Sequence, residues 1–199
     1  IVGEKIDQLC FFNFKSFQFG KINYLVSRTG FSKQGGYEIY IDSPIKGRKL
    51  WDLIVQVGFK FNLRVGTVNL IERVESGLLS FGNDMTSNNT PFDCSLGKYC
   101  SLESNYNFIG KKSLLIQRKN GPYRDIYKIL FDAPTGLENY EVECFKEEKK
   151  IGKLTSLIFS PKFNRYLGFL ITKMENVVDK EKIYVKVGES FFKASIESF

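Results

Sequence analysis

The sequence predicts an α+β protein in two parts: an antiparallel sheet with helices over residues 1–118, then a small antiparallel β-barrel over residues 119–199. Three observations carry this reading. Apolar residues recur at helical spacing only in the first part. Beyond Arg124 that period gives way to short runs separated by turns, the pattern of a small barrel or sandwich. Between the parts stands Asn120-Gly121-Pro122, a strong stop signal. With 199 residues, 43% hydrophobic and 26% charged, the chain has the composition of a globular protein with a real core.

The elements follow in order. Residues 9–26 alternate aromatic and polar side chains around Gly20 and read as a hairpin, 9–17 followed by 21–27. After the paired glycines Gly35 and Gly36 comes a strand over 37–41. Alternation puts Tyr37, Ile39 and Ile41 on one face and Gly36, Glu38 and Tyr40 on the other. Leu50, Leu53, Ile54, Val57 and Phe61 fall at helical spacing, giving an amphipathic helix over 48–61 that closes near Gly58. Asn69 is placed to cap a second helix reaching Leu79, with Glu72 completing a capping box. Leu70, Ile71, Val74 and Leu78 form its buried stripe, and Arg73 and Glu75 lie on opposite flanks. Residues 82–107, rich in Asn, Ser, Thr and Gly, read as a long loop, a feature more often functional than idle. A short helix over 110–120 precedes strands at 126–131, 141–145, 151–159, 166–172 and 183–187.

Composition excludes several classes of function. The net charge of +7 is spread over both parts with no arginine-rich stripe, whereas nucleic-acid binding concentrates basic residues on one surface. A moderate positive field suits a polyanionic small molecule. No apolar run approaches the roughly 20 residues of a membrane span, and the chain opens at Ile1 rather than Met as already structured protein, as expected of a piece of something longer. Cys10, Cys94, Cys100 and Cys144 include no C-x-x-C pair, so reduced thiols in a cytoplasmic protein are the simplest reading and no metal site is expected. The chain has no histidine, which removes the usual general base and the Ser-His and Cys-His nucleophile pairs. Chemistry must then use carboxylates, lysine or tyrosine, or need little proton transfer. Glu38 beside Tyr40 suits a flat, guanidine-like heterocycle: the carboxylate accepts paired N–H donors while the ring packs on its face. The alternative is a solvent-facing acid and ring on an edge strand.

Residues 28–41, with Arg28-Thr29-Gly30 leading into Gly35-Gly36-Tyr37-Glu38, resemble the folate-binding signature of the glycine-cleavage T-protein family. The resemblance continues in order through residues 69–85, 89–94 and 96–100, then Phe108-Ile109-Gly110-Lys111, Gly121-Pro122 and Ser160-Pro161. Within the family, residues 32–36 and 69–73 look more like the dimethylsulfoniopropionate demethylase branch. The aminomethyltransferases usually carry Thr-Gly-Glu-x-Gly where this chain has 32–36.

The resemblance implies a partial T-protein-like folate-binding domain with tetrahydrofolate as cofactor. The reaction it implies is transfer of a sulfonium methyl group to N5 of tetrahydrofolate, leaving a thioether. A sulfonium is already a good leaving group, so absence of histidine costs nothing. The work left to the protein is alignment in a dry pocket, with aromatic rings holding the cation. By the same resemblance Glu38 accepts the pterin N–H groups, Tyr40 lines the pocket, Arg73 reaches the cofactor through its ring or tail, and Phe31 stands beside the reaction site. Phe31, Ser32 and Lys33 face the substrate. Phe31 departs from the Trp usual in demethylases and the Tyr usual in aminomethyltransferases, and loses the polar N–H or O–H. For Lys33 an exposed turn lysine, and for Arg73 a surface ion pair, are the alternatives. Glu75 reads as structural, and Asp84 and Asp93 as turn and cap residues. Nothing here corresponds to the family's N-terminal half, where the catalytic group near N5 is expected. The chain therefore reads as part of an enzyme, with about half a site and little activity of its own. An aminomethyltransferase and a non-catalytic folate-binding module are the other two readings. Partners are a small sulfonium and folate, with no nucleic acid or membrane and a homodimer left open.

Overall fold

The computed structural model describes residues 5–30, 35–67, 69–134, 136–137, 141–177 and 183–198. They form two compact units that divide between Asn69 and Leu70. The boundary expected at 118/119 falls inside the second unit. There Val74 is buried in one cluster with Ile126, Leu130, Ile158, Leu167 and Phe169, so the segment before residue 118 packs on the strands that follow it.

The first unit is a three-stranded antiparallel sheet in the order β1 (Phe14–Phe19), β2 (Ile22–Ser27), β3 (Glu38–Tyr40), with helix α1 (Pro44–Gly58). Strand alternation sends Phe17, Phe19, Tyr24 and Val26 to one face, where they bury against Leu50 of α1. Tyr24 keeps its hydroxyl satisfied by donating to the Lys46 carbonyl at 2.9 Å. The helix starts four residues earlier than the apolar spacing suggests. Pro44 follows Ser43 at the first helical position, where its fixed φ suits the turn and its missing N–H costs nothing.

The second unit opens with α2 (Leu70–Glu75) and two 3-10 turns, Phe92–Cys94 and Gly97–Tyr99, followed by α3 (Lys111–Asn120). Seven strands follow: β4 (Arg124–Phe131), β5 (Glu143–Lys146), β6 (Lys149–Lys153), β7 (Thr155–Ser160), β8 (Arg165–Lys173), β9 (Ile183–Val187) and β10 (Ser190–Ser198). They form one antiparallel sheet in the order β6-β5-β9-β10-β4-β8-β7. The single strand expected over 151–159 bends at Leu154, whose N–H donates to the Val142 carbonyl at 2.8 Å. Its first half pairs with β5 and its second half with β8, so the two ends of the curled sheet lie on one continuous stretch of chain. Where the curl brings these strands together, the Thr172 hydroxyl of β8 donates to the Ile151 carbonyl of β6 at 2.9 Å. Tyr127, Ile129 and Phe131 point into the barrel with Cys144, Leu170, Val185 and Ile196, while the alternate residues of β4 face outward to α2.

Helix α2 is shorter than its periodicity suggests. Gly77 takes φ +72°, its N–H bonds the Val74 carbonyl at 3.0 Å, and the Leu78 N–H bonds the Arg73 carbonyl at 2.9 Å. That paired 5→2 and 6→1 closure is a Schellman stop, and it needs a residue that accepts left-handed backbone. Val74 is buried, but Leu70 and Ile71 stand 44% and 37% exposed, so the four-residue stripe reduces to a single anchor.

Candidate functional site

Gly35 and Gly36 both take positive φ, +85° and +119°, conformations that side-chain-bearing residues rarely adopt. This turn delivers β3 onto β2 with Ser27 opposite Glu38 and Leu25 opposite Tyr40. Ile39 joins the core beneath, whereas Glu38 and Tyr40 share the opposite, open face. Tyr40 is 53% exposed, and Phe14 of β1 and Leu25 of β2 are exposed as well.

A chain of polar bonds runs along the same sheet edge. The Thr29 hydroxyl donates to Oε2 of Glu38. Ser27 Oγ lies 2.7 Å from Thr29 Oγ1 and 3.4 Å from the Tyr40 hydroxyl; with the Thr29 proton on Glu38, the Ser27 hydroxyl donates to Thr29 and accepts from Tyr40. Ser27 is buried although it is polar, while Glu38 and Tyr40 are open. A sequence signal for these two hydroxyls exists in retrospect: they sit two apart at the end of β2, so alternation turns both toward the face that carries Glu38. On the far side Tyr37 donates to the Ile6 carbonyl at 3.2 Å and lies 5.8 Å from the Arg28 guanidinium. Arg28 donates to the carbonyls of Asp7 and Leu9 at 3.1 and 3.0 Å, fixing the segment before β1 to the start of this turn. Phe31, Ser32 and Lys33 lie outside the described residues.

Arg73 belongs to the second unit, and its described bonds point inward. Its side chain is 2% exposed and pairs with Asp84 at 2.7 Å. The guanidinium also donates to the Leu78 carbonyl at 2.5 Å and to the Ser156 hydroxyl. Asp84 in turn accepts from the Ser80 N–H at 2.8 Å, Thr155 Oγ1 at 2.7 Å and Ser156 Oγ at 2.5 Å. A bulge in β7, where Ser156 takes φ +52°, aims that hydroxyl at the pair. Asp84 is a turn residue, as its Ser80 bond shows, and also the buried counter-ion of Arg73. Glu75 accepts from Ser160 Oγ at 2.6 Å and the Lys162 N–H at 3.3 Å, a structural role. Asp93 accepts from the Thr90 N–H at 2.8 Å and pairs with Arg124 at 3.3 Å, which pins the long loop to β4.

The thiols behave differently from one another. Cys10 is exposed, while Cys94 and Cys144 are buried. Burial, with the nearby Asp93 and Asp125 charges, pushes the Cys94 thiol up to about 11, and burial pushes Cys144 up to about 12. Both are neutral thiols near pH 7, not nucleophiles. Among the described residues no helix is long and apolar enough to cross a membrane.

Residues 3–104 match the family model described as the GCVT N-terminal domain. The chain belongs to the glycine-cleavage T-protein family. Among the relatives of this chain, the dimethylsulfoniopropionate demethylase DmdA of Ruegeria pomeroyi is 40% identical over 163 residues, 82% of this chain and 44% of that protein. An aminomethyltransferase of Oceanobacillus iheyensis is 30% identical over 200 residues, 97% of this chain and 53% of that protein. The crystal structure of the glycine cleavage system aminomethyltransferase T from Bartonella henselae shares the fold, with a TM-score of 0.78 at 23% identity, covering 99% of this chain and 54% of that one. The chain thus spans about half the length of the relatives it matches.

Proposed function

We propose that this chain forms part of a tetrahydrofolate-dependent methyltransferase that demethylates dimethylsulfoniopropionate in the cytoplasm. The 40% identity to the Ruegeria demethylase, across 82% of the chain, carries the reading. The site residues fit the cofactor in chemical kind. Glu38 is an exposed acceptor held at the edge of a sheet, and Tyr40 offers an open aromatic face beside it. A pterin presents paired N–H donors in a plane, which is what such a carboxylate recognises. Bound tetrahydrofolate supplies N5 as the methyl acceptor. The chain's share is to orient the pterin through Glu38, pack it with Tyr40 and hold the sulfonium beside Phe31, Ser32 and Lys33. In this reading Arg73 supports the fold around residues 78–85, because its bonds to Asp84, Leu78 and Ser156 leave it buried.

The test is to incubate the full-length protein with tetrahydrofolate and dimethylsulfoniopropionate. 5-Methyltetrahydrofolate and a thioether should form in equal amounts. Formation of 5,10-methylenetetrahydrofolate from an aminomethyl donor, with no product from the sulfonium, would replace the proposal by an aminomethyltransferase, a reading favoured by the Oceanobacillus relative's coverage of 97% of the chain. Folate binding without transfer from either donor would leave a binding module.

A further inference from the structure

We infer that Thr29, backed by Ser27, is a positioning residue that sets the Glu38 carboxylate for its ligand; this rests on the folate reading above. The observation is the continuous chain Tyr40–Ser27–Thr29–Glu38. An exposed glutamate has three rotatable side-chain bonds and samples many rotamers, and each one frozen on binding lowers affinity. Here the Thr29 hydroxyl holds Oε2 before any ligand arrives. A carboxylate has about four lone-pair sites on two oxygens, so one hydroxyl donor leaves room for paired ligand donors.

The two hydroxyls have unequal roles. Ser27 sits opposite Glu38 in the ladder and is buried, so its position is fixed by the sheet. It meets Thr29 two residues further along the chain and Tyr40 on the diagonal, both within reach across one sheet face. Thr29, half-buried beyond the end of β2, carries that fixed position outward to the carboxylate. The ring and the acid are therefore oriented by one relay, and a ligand that uses both meets a preset geometry. The ligand class is a planar heterocycle with adjacent N–H donors.

Binding of tetrahydrofolate and of its analogue lacking the 2-amino group is measured by titration calorimetry on the full-length protein and its variants. Thr29→Val should weaken tetrahydrofolate about tenfold, the loss expected for one hydrogen bond to a charged group. Thr29→Ser should restore affinity to within about twofold, because it returns the hydroxyl alone. The analogue, with one donor fewer, should lose less on Thr29→Val than tetrahydrofolate does. Should Thr29→Val not fold by circular dichroism, Thr29→Ala compared with Thr29→Ser makes the same comparison. Equal affinity of the hydroxyl-free variant and the unaltered protein would overturn the inference, as would a Thr29→Ser variant as weak as Thr29→Val. Failure of the unaltered protein to bind tetrahydrofolate would reject the folate reading itself, and the inference with it.

Discussion

Replacing Arg73 with methionine should destabilise the second unit by about 3 kcal/mol. Both partners of the Arg73–Asp84 pair are buried, with side chains 2% and 0% exposed. Removing one member of such a pair leaves an uncompensated charge, at a cost of about 3–5 kcal/mol. The lower end applies because Asp84 keeps three donors: the Ser80 N–H and the hydroxyls of Thr155 and Ser156. Methionine retains most of the apolar stem, so little of the loss comes from a cavity. The double variant Arg73→Met, Asp84→Asn should recover part of the loss, since the stranded charge is gone. Urea unfolding followed by far-ultraviolet circular dichroism reads the strand-rich second unit. The fluorescence of Trp51, the single tryptophan, reads the first unit as an internal control. A loss below about 1 kcal/mol would refute the reasoning, since surface pairs contribute that little. Unchanged stability with weakened folate binding would instead put Arg73 in contact with the cofactor.

Three further outcomes are expected. Glu38→Gln should weaken tetrahydrofolate by about 1–3 kcal/mol in a binding titration, because an amide cannot accept paired donors as the carboxylate does; unchanged affinity would move the site elsewhere. Gly152→Ala should cost about 1–3 kcal/mol in urea unfolding, since a Cβ there would stand 2.6 Å from Cδ1 of Leu170, which is fully buried; a neutral result would mean that the packing of β6 on β8 is loose. The Cys144 thiol has its ordinary value near 9 raised to about 12 by burial, so the native state holds that proton longer than the unfolded chain does. Its contribution is fully present below pH 9 and is lost as pH rises toward 12, so the urea midpoint should fall more steeply between pH 9 and 11 in the unaltered protein than in Cys144→Ala, and parallel curves would contradict this.

The parts of the fold that could be read from sequence are those where local pattern and tertiary packing agree. Phe17, Phe19, Tyr24 and Val26 alternate because one sheet face is buried, and the Gly35-Gly36 pair marked the entry to β3 because only glycine suits its two positive φ values. The misses have physical causes. Leu70 and Ile71 are apolar at helical spacing, yet Gly77 stops the helix before a second buried turn forms. β10 was not expected beyond 187, although Phe192, Ala194 and Ile196 alternate after the turn at Gly188, with Ala194 and Ile196 in the barrel core. The bend at Leu154 has no local marker: residues 151–159 read as one strand, and only pairing with two different partners breaks it. At the candidate site the acid and the ring stood out by type. The hydroxyls of Ser27 and Thr29 did not, since small polar residues near a turn have many innocuous uses. Arg73 and Asp84 lie eleven positions apart with Ser156 far downstream, a constellation that exists only once the barrel is folded.

The bend at Leu154 has a consequence for how copies of this protein meet one another. By serving β5 with one half and β8 with the other, residues 149–160 put β6 and β7 at the two ends of the seven-stranded sheet, each with one row of backbone donors and acceptors that no strand claims among the described residues. Such rows are the templates on which unrelated chains add strands and aggregate. Among the described residues β1 and β3 are likewise the outermost strands of the smaller sheet, so conditions that provoke self-association have an edge to act through in both sheets.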